Sequence, residues 1–146
     1  MELERLELEQ VSGHFDEDQG ILFVTYRGLV TADTSAKVYA WIGRLVQQSS
    51  DIGVARGSVY DFRAVKDFVV GSITTTQTRS QTLNTKVDIS NHPVALIVGN
   101  LYQRMTVKTT MNVTPQQRRK RIVESMDEAL AFINEWHQQP IAHPLP

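Results

Sequence analysis

No cysteine occurs among the 146 residues, which excludes disulfides, thiolate metal ligands and a cysteine nucleophile. No apolar run approaches the roughly 18 residues that cross a bilayer, and Met1-Glu2-Leu3-Glu4-Arg5 lacks the basic region and apolar stretch of a signal peptide. A cytoplasmic chain without membrane insertion is the expectation. The eight glycines never form Gly-x-Gly, and no Gly-x-x-x-x-Gly-Lys-Ser/Thr segment is present. Dinucleotide and nucleoside-triphosphate cradles are therefore missing, and no cofactor is expected. Gly-x-Ser-x-Gly, the turn that presents a hydrolase serine, is missing as well. His14, His92, His137 and His143 are scattered, with no His-Glu-x-x-His pair to place two imidazoles on one helix face. No metal site is expected, and His137 is placed to meet a helix dipole.

What is present suits one folded domain: 41% of residues are hydrophobic and 21% charged, close to the globular average. We read residues 1–139 as a single domain and 140–146, with prolines at 140, 144 and 146, as a flexible tail. The net charge of -1 says nothing about partners, but charge is uneven, with seven of sixteen acids in the first eighteen residues and one basic run at Arg118, Arg119, Lys120 and Arg121. A solvated edge, or pairing of that run with the acidic N-terminus, is expected. In a strand these side chains would alternate between faces and make no single basic patch, so nucleic acid is not an expected partner.

Leu6 and Leu8 alternate with Glu7 and Glu9, as in a half-buried strand. Turn residues at 16–20 and the β-branched and aromatic stretch Ile21 to Tyr26 follow, predicting an opening antiparallel hairpin. Thr31 is a candidate N-cap, and Val38, Trp41, Ile42, Leu45 and Val46 mark one face of an amphipathic helix. Residues 49–57 read as a loop and 58–62 as a short strand. A Ser- and Thr-rich stretch at 71–86 is assigned to helix by context. Val94 to Val98, a continuous apolar run between Pro93 and Gly99, predicts a central strand buried on both faces. Leu101, Met105 and Lys108 recur at helical spacing, Arg121 to Val123 fits a brief strand, and Ser125-Met126-Asp127-Glu128 is a capping box for a last helix striped by Met126, Ala129, Leu130, Ile133 and Trp136. The sum is an α/β domain: a mixed, mostly parallel sheet of about five strands opening with an antiparallel hairpin, with about four helices.

This order, with Gly28-Leu29-Val30-Thr31 leading into the first helix, Asp61-Phe62-Arg63 ending a later strand, and Ser125 to Ile133 closing the chain, resembles the STAS-like family often called SpoIIAA-like. The resemblance covers residues 20–136. It implies a domain that docks protein partners. In the best-known relatives, anti-sigma-factor antagonists, a serine at the start of the helix after the third strand is phosphorylated, within an Asp-Ser-Ser-Gly-like segment. This chain lacks that segment; Gly71-Ser72-Ile73-Thr74, preceded by Asp67, is the nearest counterpart, so the resemblance nominates Ser72 as phosphoacceptor, against the plainer role of a serine N-cap.

Asp61 is the most interesting carboxylate, because ligands of open α/β sheets gather outside the carboxyl ends of the strands. With Arg63 it is a candidate anchor for a ligand or partner loop, although an Asp that merely caps a turn needs the same position. Val65, Phe68, Val69, Val70 and Ile73 form an apolar stretch in an expected loop, which makes Phe68 and Val70 further candidates. The leading expectation is a non-enzymatic regulatory or protein-interaction module, with a carrier or sensor of a small apolar or amphipathic ligand as the alternative. A homodimer is compatible with either.

Overall fold

A computed structural model describes residues 3–49, 55–69, 92–113 and 119–138. Six strands form one sheet in sequence order: β1 (Leu6–Glu7), β2 (Val11–Asp16), β3 (Ile21–Val30), β4 (Gly57–Phe68), β5 (Val94–Ile97) and β6 (Lys120–Val123). The first three are antiparallel neighbours, and β3 to β6 run parallel. Three helices are described: α1 (Ala32–Gln48), α2 (Leu101–Val113) and α3 (Met126–Gln138). The helix expected over 71–86 and the tail at 140–146 lie outside the described residues.

The expected mixed sheet with an antiparallel opening is present, but the opening contains one strand more. β2, not β1, pairs with β3 across the turn at 16–20, while β1 lies outside β2. Gly20 takes a φ of +70° at the end of that turn, a conformation that glycine adopts without steric penalty.

Alternation along the strands divides the core into two layers. Leu22, Val24 and Tyr26 of β3 join Val11, Val65 and the Val38, Trp41, Ile42 and Leu45 stripe of α1 on one side. Ile21, Val59, Ala95, Ile97 and Val123 meet Ala129, Phe132, Ile133 and Trp136 of α3 on the other. Helix α1 begins as expected: the Thr31 hydroxyl accepts from the Thr34 amide at 3.1 Å, and the Thr34 hydroxyl accepts from the Thr31 amide at 3.2 Å. At α3, Ser125 Oγ accepts from the Glu128 amide at 3.1 Å, but the Glu128 carboxylate turns to the Ser125 hydroxyl rather than to its backbone.

Trp41 is fully buried against Gly13, where a Cβ would lie 2.7 Å from its ring, and its indole donates to the Glu4 carbonyl at 2.9 Å. Arg44 and Gln48 of α1 also hold Glu4, by its carboxylate and its amide. The acidic N-terminus therefore meets α1. It does not meet the basic run, because β1 and β6 are opposite edges of the sheet.

Candidate functional site

β4 is 12 residues long, whereas β5 and β6 have four each. Pairing with β5 ends at Asp61–Ile97, so from Phe62 to Phe68 β4 continues beside β3 alone. This segment was expected to be a loop. It is strand because β3 also runs on, to Val30, and two register shifts, between Thr25 and Arg27 and between Gly28 and Leu29, absorb two extra β4 residues. Such bulges bend a strand and re-aim its side chains. Gly28, with φ +65°, lies between them.

The first bulge carries Asp61 and Arg63. Asp61 Oδ1 accepts from the Arg63 amide at 3.0 Å, and the carboxylate receives the guanidinium through both oxygens at 3.0 and 2.8 Å. Burial pushes the Asp61 carboxyl up, but the guanidinium and amide of Arg63 together pull it below its ordinary value. The two expected anchors are thus brought together as an internal ion pair, with the Asp61 side chain largely covered and Arg63 more open.

Where β5 has ended, α2 lies beside the extended part of β4. Asn100 starts the helix, its side chain accepting from the Gln103 amide at 2.8 Å. Gln103, only 1% exposed, then closes the open edge: its oxygen accepts from the Gly99 amide at 2.6 Å, and its nitrogen donates to the carbonyls of Val65 at 2.9 Å and Arg63 at 3.2 Å. Tyr102 adds a second tie, its hydroxyl donating to Asp67 and accepting from the Phe68 amide.

Phe68, expected to be a ligand or partner anchor in a loop, is the last residue of β4 and packs against the core. Tyr60, Tyr26, Phe62, Phe68 and Tyr102 form a continuous series of ring contacts with centroids 4.8–6.4 Å apart. Val65 is buried in the α1 layer. Both side chains therefore have structural work, and Val69 is the exposed member of the expected apolar lining among the described residues. Val70, Ile73 and Ser72 lie outside the described residues. A depression of about 190 Å³ occurs elsewhere, near the turn between β2 and β3, lined by Leu3, Arg5, His14, Phe15, Glu17 and Asp18. Its charged rim does not match an apolar guest.

Exposed apolar surface marks the site more clearly than any titratable group. Of six exposed large hydrophobic side chains among the described residues, five belong to the end of β3, the residue after β4 and the start of α2: Leu29, Val69, Leu101, Tyr102 and Met105; Leu8 is elsewhere. Leu29 pairs in register with Asp67, the acceptor of the Tyr102 hydroxyl, and the Val69 amide donates to Val30. Leu101 and Met105, 70% and 60% exposed, are one turn apart on α2. Their helical spacing was legible in the sequence, but it marks the outer face of the helix; Gln103 and Val107 face inward.

A second polar group lies at the amino ends of β4 to β6. His92 Nε2 is 2.6 Å from Ser58 Oγ, and Arg119 donates to the His92 carbonyl at 2.9 Å. Burial, reinforced by the nearby Arg119 charge, lowers the His92 pKa to about 4, so the ring is neutral at pH 7. Burial and Arg119 likewise bring Lys120 down to about 7. Ser58 is 2% exposed, which keeps its hydroxyl from solution and makes the pair a structural link between β4 and the segment before β5. Within the basic run Arg119 is buried and Lys120 partly buried, while the exposed Arg121 lies over the Phe132 ring at 4.6 Å; Arg118 lies outside the described residues. His137 Nε2 donates to the Arg56 carbonyl, so this ring nitrogen carries the proton in that contact.

Among the described residues, no group of three His, Asp or Glu side chains could hold a metal ion, and no helix is long and apolar enough to cross a membrane.

The antiparallel opening, the parallel β3 to β6 and the placement of the helices define a STAS-like, or SpoIIAA-like, fold. No protein-family model and no curated protein matches the sequence. Among solved structures, the chain is similar to an uncharacterized protein of the DUF3478 family with a SpoIIAA-like fold from Shewanella loihica PV-4, with a TM-score of 0.58 and 13% identity over 87% of this chain and 96% of that one. It is similar also to the anti-sigma factor antagonist SpoIIAA in its unphosphorylated form, with a TM-score of 0.55 and 9% identity over 88% and 98%. A third similar structure is the murine anion transporter Solute Carrier 26 family member A9, at TM-score 0.54 and 16% identity, where 82% of this chain matches 18% of the transporter. At these identities the likeness carries the fold, and function has to be argued from the site.

Proposed function

We propose that this chain is a non-enzymatic regulatory module that docks a partner protein on the surface formed by the ends of β3 and β4 and the first turns of α2. One observation carries this reading: five of the six exposed large hydrophobic side chains described belong to those segments. Isolated apolar residues are ordinary on protein surfaces, whereas neighbouring ones, as Leu101 and Met105 are one turn apart on α2, mark an interaction site. The surface is also firmly built, since Gln103 and Tyr102 tie α2 to β4, and rigid placement limits what must be ordered on binding. The similarity to an anti-sigma factor antagonist supports a protein partner. Asp61, the carboxylate best placed for chemistry, is ionised and paired with Arg63, which suits a positioning role rather than proton transfer. Ser72 is proposed as the residue through which phosphorylation would control docking.

Native mass spectrometry of the protein isolated from its own host tests the reading, comparing the natural chain with a Leu101→Ser/Met105→Ser variant. A protein complex of fixed stoichiometry that the variant loses is the expected result, and a phosphate mapping to Ser72 would add the control step. A retained small molecule with no protein partner would replace this reading by that of a carrier.

A further inference from the structure

The charges around the docking surface specify its partner more closely than apolar area does. β4 and α2 carry four cationic side chains, Arg63, Lys66, Arg104 and Lys108, and three carboxylates lie on or against these elements, Asp61, Asp67 and Glu124. Asp61 is committed to Arg63, and Glu124 takes Arg104 at 2.8 Å. Asp67, although exposed, is engaged by the Tyr102 hydroxyl and the Phe68 amide, both of which donate to it. Lys66 and Lys108 are exposed, and neither takes part in an ion pair among the described residues. Lys66 stands in the second bulge of β4, and Lys108 lies one turn beyond Met105 on the outer face of α2. Exposed lysines thus stand on two of the elements that present the apolar residues, β4 and α2.

Resting on the docking reading above, we infer that this surface takes an amphipathic segment of a partner protein whose apolar side chains are flanked by carboxylates. The apolar side chains of such a segment would cover Leu101, Met105 and Leu29, while its carboxylates meet Lys66 and Lys108. Complementary charge of this kind raises the encounter rate and rejects partners of the wrong sign more than it adds to affinity. The preference therefore weakens with salt.

Two synthetic helical peptides with the same Leu/Met stripe, one flanked by glutamates and one by lysines, are titrated into the full chain. Methyl signals of Leu29, Leu101 and Met105 are followed by NMR. The glutamate peptide is expected to move these signals and to bind at least about tenfold more tightly at low salt than the lysine peptide. Lys66→Glu/Lys108→Glu, which replaces only exposed side chains, should reverse the order. Equal affinities, the opposite order without substitution, shifts confined to another surface, no binding by either peptide, or self-association through these methyls would each overturn the inference. The docking reading fails separately: a natural partner lost on Leu101→Ser/Met105→Ser but presenting a basic segment overturns the charge inference alone, whereas a partner retained by that variant overturns the surface itself.

Discussion

Replacing Gln103 should loosen the joint that gives the candidate surface its shape. In Gln103→Met the volume is nearly kept, but the Gly99 amide and the Arg63 and Val65 carbonyls lose their partners at once. A buried backbone group left without a hydrogen bond costs about 1–3 kcal/mol. The Val65 carbonyl, in the buried bond, takes that range, and the Gly99 amide and Arg63 carbonyl, which belong to exposed residues, are set at the low end, about 1 kcal/mol each. A total of about 3–5 kcal/mol follows, a large part of the 5–15 kcal/mol typical of a domain. Gln103→Glu separates the contributions. Its carboxylate still accepts from Gly99 but opposes both carbonyls, and on protonation it gains one donor. This variant should recover stability relative to the natural chain as pH falls. Urea unfolding gives the totals, and hydrogen exchange at the Gly99 amide gives the local effect. A loss below about 1 kcal/mol in Gln103→Met with unchanged Gly99 protection would refute the clamp.

Gly13→Ala would set a Cβ 2.7 Å from the Trp41 ring, which is fully buried and held by Glu4; destabilisation of about 3 kcal/mol is expected from thermal unfolding. At Gly28 a Cβ would meet nothing within 4 Å, so Gly28→Ala should cost only about 1 kcal/mol, from the positive φ alone, in the same assay. For His92, whose folded pKa of about 4 lies below the ordinary 6.5, the unfolded chain binds the proton first as pH falls. Its contribution is present above pH 6.5 and lost between 6.5 and 4, on the order of 3 kcal/mol in all; His92→Leu should flatten that part of the stability–pH curve, and an unchanged slope would contradict it. Leu101→Ser and Met105→Ser should leave stability within about 0.5 kcal/mol while weakening partner binding, read from unfolding and binding isotherms on the same preparations.

The elements that the sequence displays best are those whose inward positions are filled by large apolar residues at a regular period. Helix α1, β5 and α3 are of this kind. β2 escapes because one of its inward positions is Gly13, which makes room for Trp41 and erases the alternation that would announce a strand. The end of β4 escapes for a different reason. Its two bulges space Phe62, Val65 and Phe68 three apart, so a continuous strand reads as irregular chain. For α2, periodicity locates the helix but not its inner face, because the inner face carries a buried glutamine and the outer face a leucine and a methionine.

The candidate site was legible in the same uneven way. Asp61 and Arg63 stand out at a strand end, and their pairing follows from two-residue spacing across a bulge. Tyr102 and Gln103 give no signal, since a glutamine that satisfies three backbone groups has the same letter as one in water. Ser58, His92 and Arg119 are equally silent, being polar residues far apart in sequence that meet only when β4, β5 and β6 align.

The docking surface is tested most directly by site-specific photo-crosslinking in the native host, with the crosslinker placed at Met105 in one chain and at Leu8 in another. Both positions expose a large apolar side chain, but only Met105 belongs to the five-residue group. A discrete adduct with one partner protein at Met105, absent at Leu8 and suppressed by Leu101→Ser, is the predicted result. Adducts of equal yield at both positions, or at Leu8 alone, would contradict the account.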